Sequence, residues 1–202
     1  MSQTQSWGTS ELTGVSWEIR LVDYDKRSTT AKRTLPVKEQ GIAALYFVDQ
    51  ASSGIDVIEL SRQGIVRVVK DVETPIGDDS NIVRGFRLHD AVEQMQFRAA
   101  WNATKLELHV SVSSDENGFQ IWDMGASRRK AYVATEFSAG ISCMDVERQR
   151  GNLNLTGFLD GTVALFDTRQ QAPRGVCRWL TGHQGAILCT SLTASQEIVS
   201  MG

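Results

Sequence analysis

The chain has 202 residues, 41% hydrophobic and 22% charged, with a formal net charge of −3. That balance fits an ordinary globular chain and lacks the basic excess of a non-specific nucleic-acid binder. No run of 18 apolar residues occurs, so no membrane-spanning helix is expected, and residues 1–16 carry no apolar stretch of a secretory leader.

Residues 1–16 read as a polar N-terminal segment, and the patterned part of the chain is 17–202. Ile19-Arg20-Leu21-Val22-Asp23 has the alternation of a strand, and further strand candidates follow at residues 31–35, 42–48 and 55–60. A period of two is the mark of a half-buried strand. Gly64 then separates 55–60 from Val66-Arg67-Val68-Val69-Lys70, and residues 82–88 are the next strand candidate. Between them lies a polar loop with Asp71, Glu73, Asp78 and Asp79. Residues 93–99 and 106–112 precede Gly118, which opens Phe119-Gln120-Ile121-Trp122-Asp123. Arg128, Arg129 and Lys130 are expected in the hairpin turn that leads to a strand at 131–135. The pattern repeats with strands at 141–146, 153–158, 163–167 and 176–180, and with a turn at Asp160-Gly161. It begins again with Gly182-His183, 186–192 and 197–201. Helical periodicity is nearly absent.

Four strands in this series end at Asp23, Lys70, Asp123 and Asp167, so the gaps are 47, 53 and 44 residues. Two of them run from a glycine turn through alternating residues to an aromatic and an aspartate: Trp122-Asp123 and Phe166-Asp167. A repeat of about 40–45 residues with that ending marks a WD-repeat blade. The expected fold is therefore all-β: a WD40-type β-propeller, here an incomplete arc of about four blades of four-stranded antiparallel sheet. The fifth repeat is cut at Gly202. A propeller of this type closes with about four to eight blades, so a parent chain is expected to supply the rest.

With the four strands of a blade lettered a to d from the axis outward, Gly64, Gly118 and Gly161 are expected to turn strand b into strand c, since glycine adopts positive φ cheaply. Asp23, Trp122, Asp123, Asp160, Asp167, Gly182 and His183 are the other residues of the blade motif. In a well-formed blade, a histidine before strand a, a hydroxyl in strand b, the turn aspartate and the strand c tryptophan are linked by hydrogen bonds. Here the pieces are scattered. His183 has Ser200 as a possible partner; Trp122 has Ser111 or His89; Thr156 and Asp160 stand in a blade where Phe166 replaces tryptophan.

The run Ile141-Ser142-Cys143-Met144-Asp145, followed by Gly157-Phe158-Leu159-Asp160-Gly161-Thr162-Val163-Ala164-Leu165-Phe166-Asp167-Thr168-Arg169, resembles a blade of the C-terminal propeller of the raptor family. Ser61-Arg62-Gln63-Gly64-Ile65-Val66-Arg67-Val68-Val69-Lys70 is similar to another blade of that family, in which lysine stands in place of the usual aspartate. Raptor proteins are regulatory subunits of TOR kinase complexes. The resemblance implies a scaffold with protein partners, in the cytoplasm and with recruitment to a lysosomal or vacuolar surface. The alternatives are another WD-repeat adaptor, such as a ubiquitin-ligase substrate receptor or a trafficking component, or the propeller of an enzyme.

Reactive chemistry is sparse. His89, His109 and His183 are too far apart for a local metal motif, and no Gly-x-Ser-x-Gly elbow or phosphate loop occurs. Neither catalytic residues, metal nor cofactor are expected. Cys143, Cys177 and Cys189 are separated by 34 and 12 residues, which fits no zinc pattern and suggests reduced, buried thiols. Two groups are candidates for binding protein partners: Asp71, Glu73, Asp78 and Asp79 in the long loop, and Arg128, Arg129 and Lys130.

Overall fold

The structure is a computed structural model, and it describes residues 6–11, 14–23, 28–36, 42–50, 54–69, 82–88, 97–112, 118–170, 175–195 and 197–202. The described residues form seventeen strands in antiparallel sheets and no helix. The chain divides into two compact units, Met1–Gln94 and Met95–Gly202.

The first unit holds two sheets. In blade I, β1 (Ser6–Glu11), β2 (Gly14–Asp23) and β3 (Ser28–Pro36) pair in sequence order. The expected polar segment thus contributes a strand, β1, whose Ser6 pairs with Ile19 of β2. Blade II is β4 (Ile42–Gln50), β5 (Gly54–Ser61), β6 (Ile65–Val69) and β7 (Ile82–Arg87), again in sequence order. Val57, Ile58, Leu60, Val66 and Val69 are buried. The β5–β6 turn has no aspartate. Instead, Ser61 Oγ accepts from the Gln63 and Ile65 amides, at 3.3 and 3.1 Å. A hydroxyl therefore caps the turn where an Asx side chain usually would.

The second unit holds three sheets. Blade III is β8 (Phe97–Asn102), β9 (Glu107–Val112), β10 (Gly118–Asp123) and β11 (Arg128–Ala134). Blade IV is β12 (Ile141–Val146), β13 (Leu153–Phe158), β14 (Val163–Asp167) and β15 (Val176–Leu180). Blade V is β16 (Cys189–Leu192) paired with β17 (Ile198–Met201). The first strands lie side by side, β12 between β8 and β16, as the inner strands of a propeller do.

Alternation decides which face meets which blade. Phe119 and Ile121 of β10 point to blade IV and meet Met144, Val146, Phe158, Ala164 and Phe166. The Phe119 and Phe166 rings meet edge-on at 5.6 Å. Phe119, Phe158 and Phe166 are fully buried, and each contributes about 2 kcal/mol by leaving water. The opposite face of blade IV presents Leu155 and Val163 to Ile187 and Leu192 of blade V. Gly157 makes room there, since a β-carbon on it would lie 2.7 Å from Ile187 Cγ2.

Several expectations shift by a few residues. Of the strand expected at 93–99, residues 93–96 lie outside the described residues, and β8, Phe97–Asn102, runs past its expected end because Ala100 and Asn102 continue into the packed face. The strand expected at 186–192 begins only at Cys189, and Ile187 plugs the space beside Gly157 instead. The cysteines are free, but Cys177 and Cys189 are exposed and Cys143 is half-buried. Cys177 lies on the outermost strand of its sheet, where an apolar neighbourhood in sequence does not produce burial in space.

Candidate interaction surface

Asp123 and Asp167, the terminal residues of the two repeats, do the same local work. Asp123 Oδ1 accepts from the Ala126 amide at 2.9 Å, and Asp167 Oδ1 accepts from the Arg169 amide at 3.0 Å. Each carboxylate thereby turns strand c toward strand d. Asp167 also pairs with the exposed Arg169 guanidinium at 2.5 Å, and those hydrogen bonds hold its carboxyl at about 2. Asp23 ends β2, paired with Ser28.

Asp160 Oδ1 accepts from the Thr162 amide at 2.9 Å, and Gly161 has φ +87°. A β-carbon on Gly161 would lie 2.5 Å from the His183 carbonyl oxygen, so the segment entering blade V crosses directly over this turn. His183 Nε2 is 3.0 Å from Ser200 Oγ, the pairing the sequence suggested. Gly182 stands in open space beside it. Gly64 also has positive φ, +72°. Gly118 differs from the expectation. It is the first residue of β10 rather than a left-handed turn residue, and a β-carbon there would lie 2.4 Å from the Val133 carbonyl oxygen. Its lack of a side chain lets β11 come close.

Trp122 is buried, and its Nε1 donates to Gln120 Oε1 at 2.9 Å. The partner is two residues away on the same strand face, rather than Ser111; His89 lies outside the described residues. Arg128, Arg129 and Lys130 are not in a turn. They open β11, opposite Asp123 and Trp122, and the turn itself is 124–127. The turn is short because Asp123 bends the chain at once. Lys70, Asp71, Glu73, Asp78 and Asp79 lie outside the described residues.

A buried polar chain joins blades III and IV. Asn154 Nδ2 is 2.9 Å from His109 Nδ1, and Thr156 Oγ1 donates to Asn154 Oδ1 at 2.7 Å. Thr156 fixes the amide orientation, so His109 Nδ1 accepts and its proton sits on Nε2. All three side chains are fully buried. Burial pushes His109 below its ordinary value of 6.5, although Glu107 pulls the other way. Its Nε2 is 3.7 Å from Glu107 Oε2, too long for a hydrogen bond. Burial pushes the Glu107 carboxyl up, but the His109 ring and the Lys130 ammonium, 2.5 Å away, outweigh it and bring it to about 2. His109 is thus neutral and sealed, and it can exchange no proton with a dissolved substrate. His183 and Ser200 have the spacing of a base and a nucleophile, but among the described residues no carboxylate orients the imidazole. No three His, Cys, Asp or Glu side chains among the described residues converge on a metal position. No helix among them is long and apolar enough to cross a membrane.

The loops of the second unit form two distinct ends. At one end the first turns of blades III, IV and V are stitched together. Thr104 Oγ1 donates to the Arg148 carbonyl at 2.8 Å, Asn102 Nδ2 to the Gly151 carbonyl at 2.9 Å, and Gln149 Nε2 to the Ala194 carbonyl at 3.1 Å. The β10–β11 turn joins them through the Met124 amide, which donates to the Leu106 carbonyl at 3.1 Å. Arg148 and Arg150 are exposed here, Lys105 is half-exposed, and Leu106 is 50% exposed. Among the described residues Lys105, Arg148 and Arg150 form no ion pair. At the other end lie the exposed acids Glu136 and Asp160. Sequence reading missed the Lys105–Arg148–Arg150 group because the three residues belong to two different repeats.

No family model matches the chain, and no curated protein matches its sequence. Among solved structures 914 chains match, a breadth that speaks for a common architecture and not for one activity. One is Raptor from Chaetomium thermophilum, similar at 15% identity over 92% of this chain and 18% of that one, with a TM-score of 0.74. The chain thus spans under a fifth of the length of that protein, and what the two share is the propeller fold.

Proposed function

We propose that this chain is a non-catalytic propeller scaffold for protein partners, and more specifically a raptor-like adaptor in a TOR kinase complex of nutrient and growth signalling. The likeness to the Chaetomium thermophilum Raptor structure over 92% of the chain carries this reading. The raptor-like order of residues in blades II and IV supports it independently. The mechanism is presentation. Sheets locked by buried Phe119, Phe158 and Phe166 hold their connecting loops in fixed positions, so a partner meets a surface already organised. Such an adaptor works in the cytoplasm and is recruited to a lysosomal or vacuolar surface.

Tagging the protein in its own cells and purifying it under mild conditions tests the proposal. TOR kinase should co-purify in near-stoichiometric amount. Recovery of ubiquitin-ligase or vesicle-coat subunits in its place would overturn the TOR assignment and leave the broader scaffold reading. Substrate turnover by the purified chain alone would overturn both.

A further inference from the structure

We propose that the stitched turns of blades III, IV and V form a docking face for an acidic peptide segment carrying one large apolar side chain. This rests on the scaffold reading and names the surface and the chemistry of its partner.

The first observation is the separation of charge. The whole chain is net negative, at −3. Yet of the described acids near this end Glu107, Glu147 and Asp167 are buried, Asp123 and Asp145 are half-buried and accept from backbone amides, and Glu107 and Asp167 are each paired with a basic side chain. Lys105, Arg148 and Arg150 form no ion pair among the described residues and outnumber the one exposed acid of these turns, Glu197, so the exposed field of the described residues is positive. The exposed carboxylate on the third turn, Glu197, accepts from Ser195 Oγ at 2.9 Å.

The second observation is Leu106. It closes the β8–β9 turn at φ +55°, a left-handed conformation that a hairpin normally gives to glycine. A leucine there is strained, and half of it faces solvent. Neither packing nor turn geometry explains the residue; an apolar contact to a partner does. Its carbonyl is fixed by the Met124 amide, so the side chain stands at a set position next to Lys105.

The third observation is rigidity. Hydrogen bonds from Thr104, Asn102 and Gln149 tie each turn to the next. The cationic groups therefore sit on a preformed base, and little ordering entropy is lost on binding. An acidic peptide fits better than a nucleic-acid duplex, whose base faces are stacked inside and whose phosphodiester backbone offers nothing apolar to cover Leu106.

A fluorescein-labelled peptide with one leucine between runs of glutamate and aspartate, titrated with the full chain, tests this by anisotropy. Binding should saturate and weaken as salt rises. The double variant Arg148→Glu/Arg150→Glu should weaken it about tenfold or more, while Arg178→Glu on β15 leaves it unchanged. Leu106→Gly should also weaken it, and that variant relieves strain, so its folding is secure. If the charge-reversed protein loses its cooperative unfolding transition, Arg148→Gln/Arg150→Gln serves in its place. No saturable binding, equal loss with Arg178→Glu, or tighter binding of an oligouridylate RNA or of phosphatidylserine vesicles would overturn the proposal. Undiminished recovery of TOR kinase by the Arg148→Glu/Arg150→Glu protein would overturn it too, and leave the scaffold reading standing.

Discussion

Asn154 Nδ2 meets His109 Nδ1 at 2.9 Å across the packed faces of two neighbouring blades. The two residues are 45 apart in sequence, one repeat length. A polar bond therefore helps set the register of blade III on blade IV inside an apolar contact, together with the Arg98, Asn102 and Thr104 hydrogen bonds that also cross between them.

Replacing His109 with alanine should cost about 3 kcal/mol or more. It removes a fully buried ring, leaves a cavity beside Phe119, and strips Asn154 of its acceptor. Urea unfolding at neutral pH measures it. A loss below about 1 kcal/mol would show that the polar chain is incidental to blade packing.

Acid should weaken the fold in two stages. His109 is held below its ordinary 6.5, so the unfolded chain binds that proton first, and stability falls as pH drops below 6.5. Glu107 is held at about 2 instead of 4.5, so its contribution is full above 4.5 and is lost as pH falls from there through about 2. Urea midpoints across this range should fall less steeply below pH 4.5 in Glu107→Gln than in the parent. Parallel curves would exclude Glu107 from the acid response.

Gly161→Val should destabilise blade IV far more than Thr162→Val. Valine tolerates positive φ poorly, and its β-carbon would strike the His183 carbonyl oxygen. Thr162 has no such conflict, and its amide bond to Asp160 survives the change. Thermal unfolding compares them, and equal midpoints would contradict this account of the turn.

Trp122→Ala should cost about 3–5 kcal/mol, as for other buried large-to-small changes. Intrinsic fluorescence during denaturation gives the parent value, and circular dichroism gives the variant's. A loss within the range of surface substitutions, about 0.5 kcal/mol, would mean that the side chain is not packed.

The sequence by itself determined the strands of blade IV. The expected spans 141–146, 153–158, 163–167 and 176–180 coincide with β12 to β15. Alternation, turn glycines and the aspartate that ends strand c act over a few residues, so they are legible locally. The pairing of His183 with Ser200 was legible for the same reason, since the repeat fixes both positions. Tertiary structure alone decided the rest. Gly118 matters because β11 approaches it, Trp122 turns to Gln120, and Cys177 and Cys189 are exposed by their place in the sheets. The basic face exists only because stacking blades brings Lys105 beside Arg148 and Arg150, residues separated by a whole repeat. Local pattern fixes which way a side chain points; only the packing of one sheet on the next fixes what it meets.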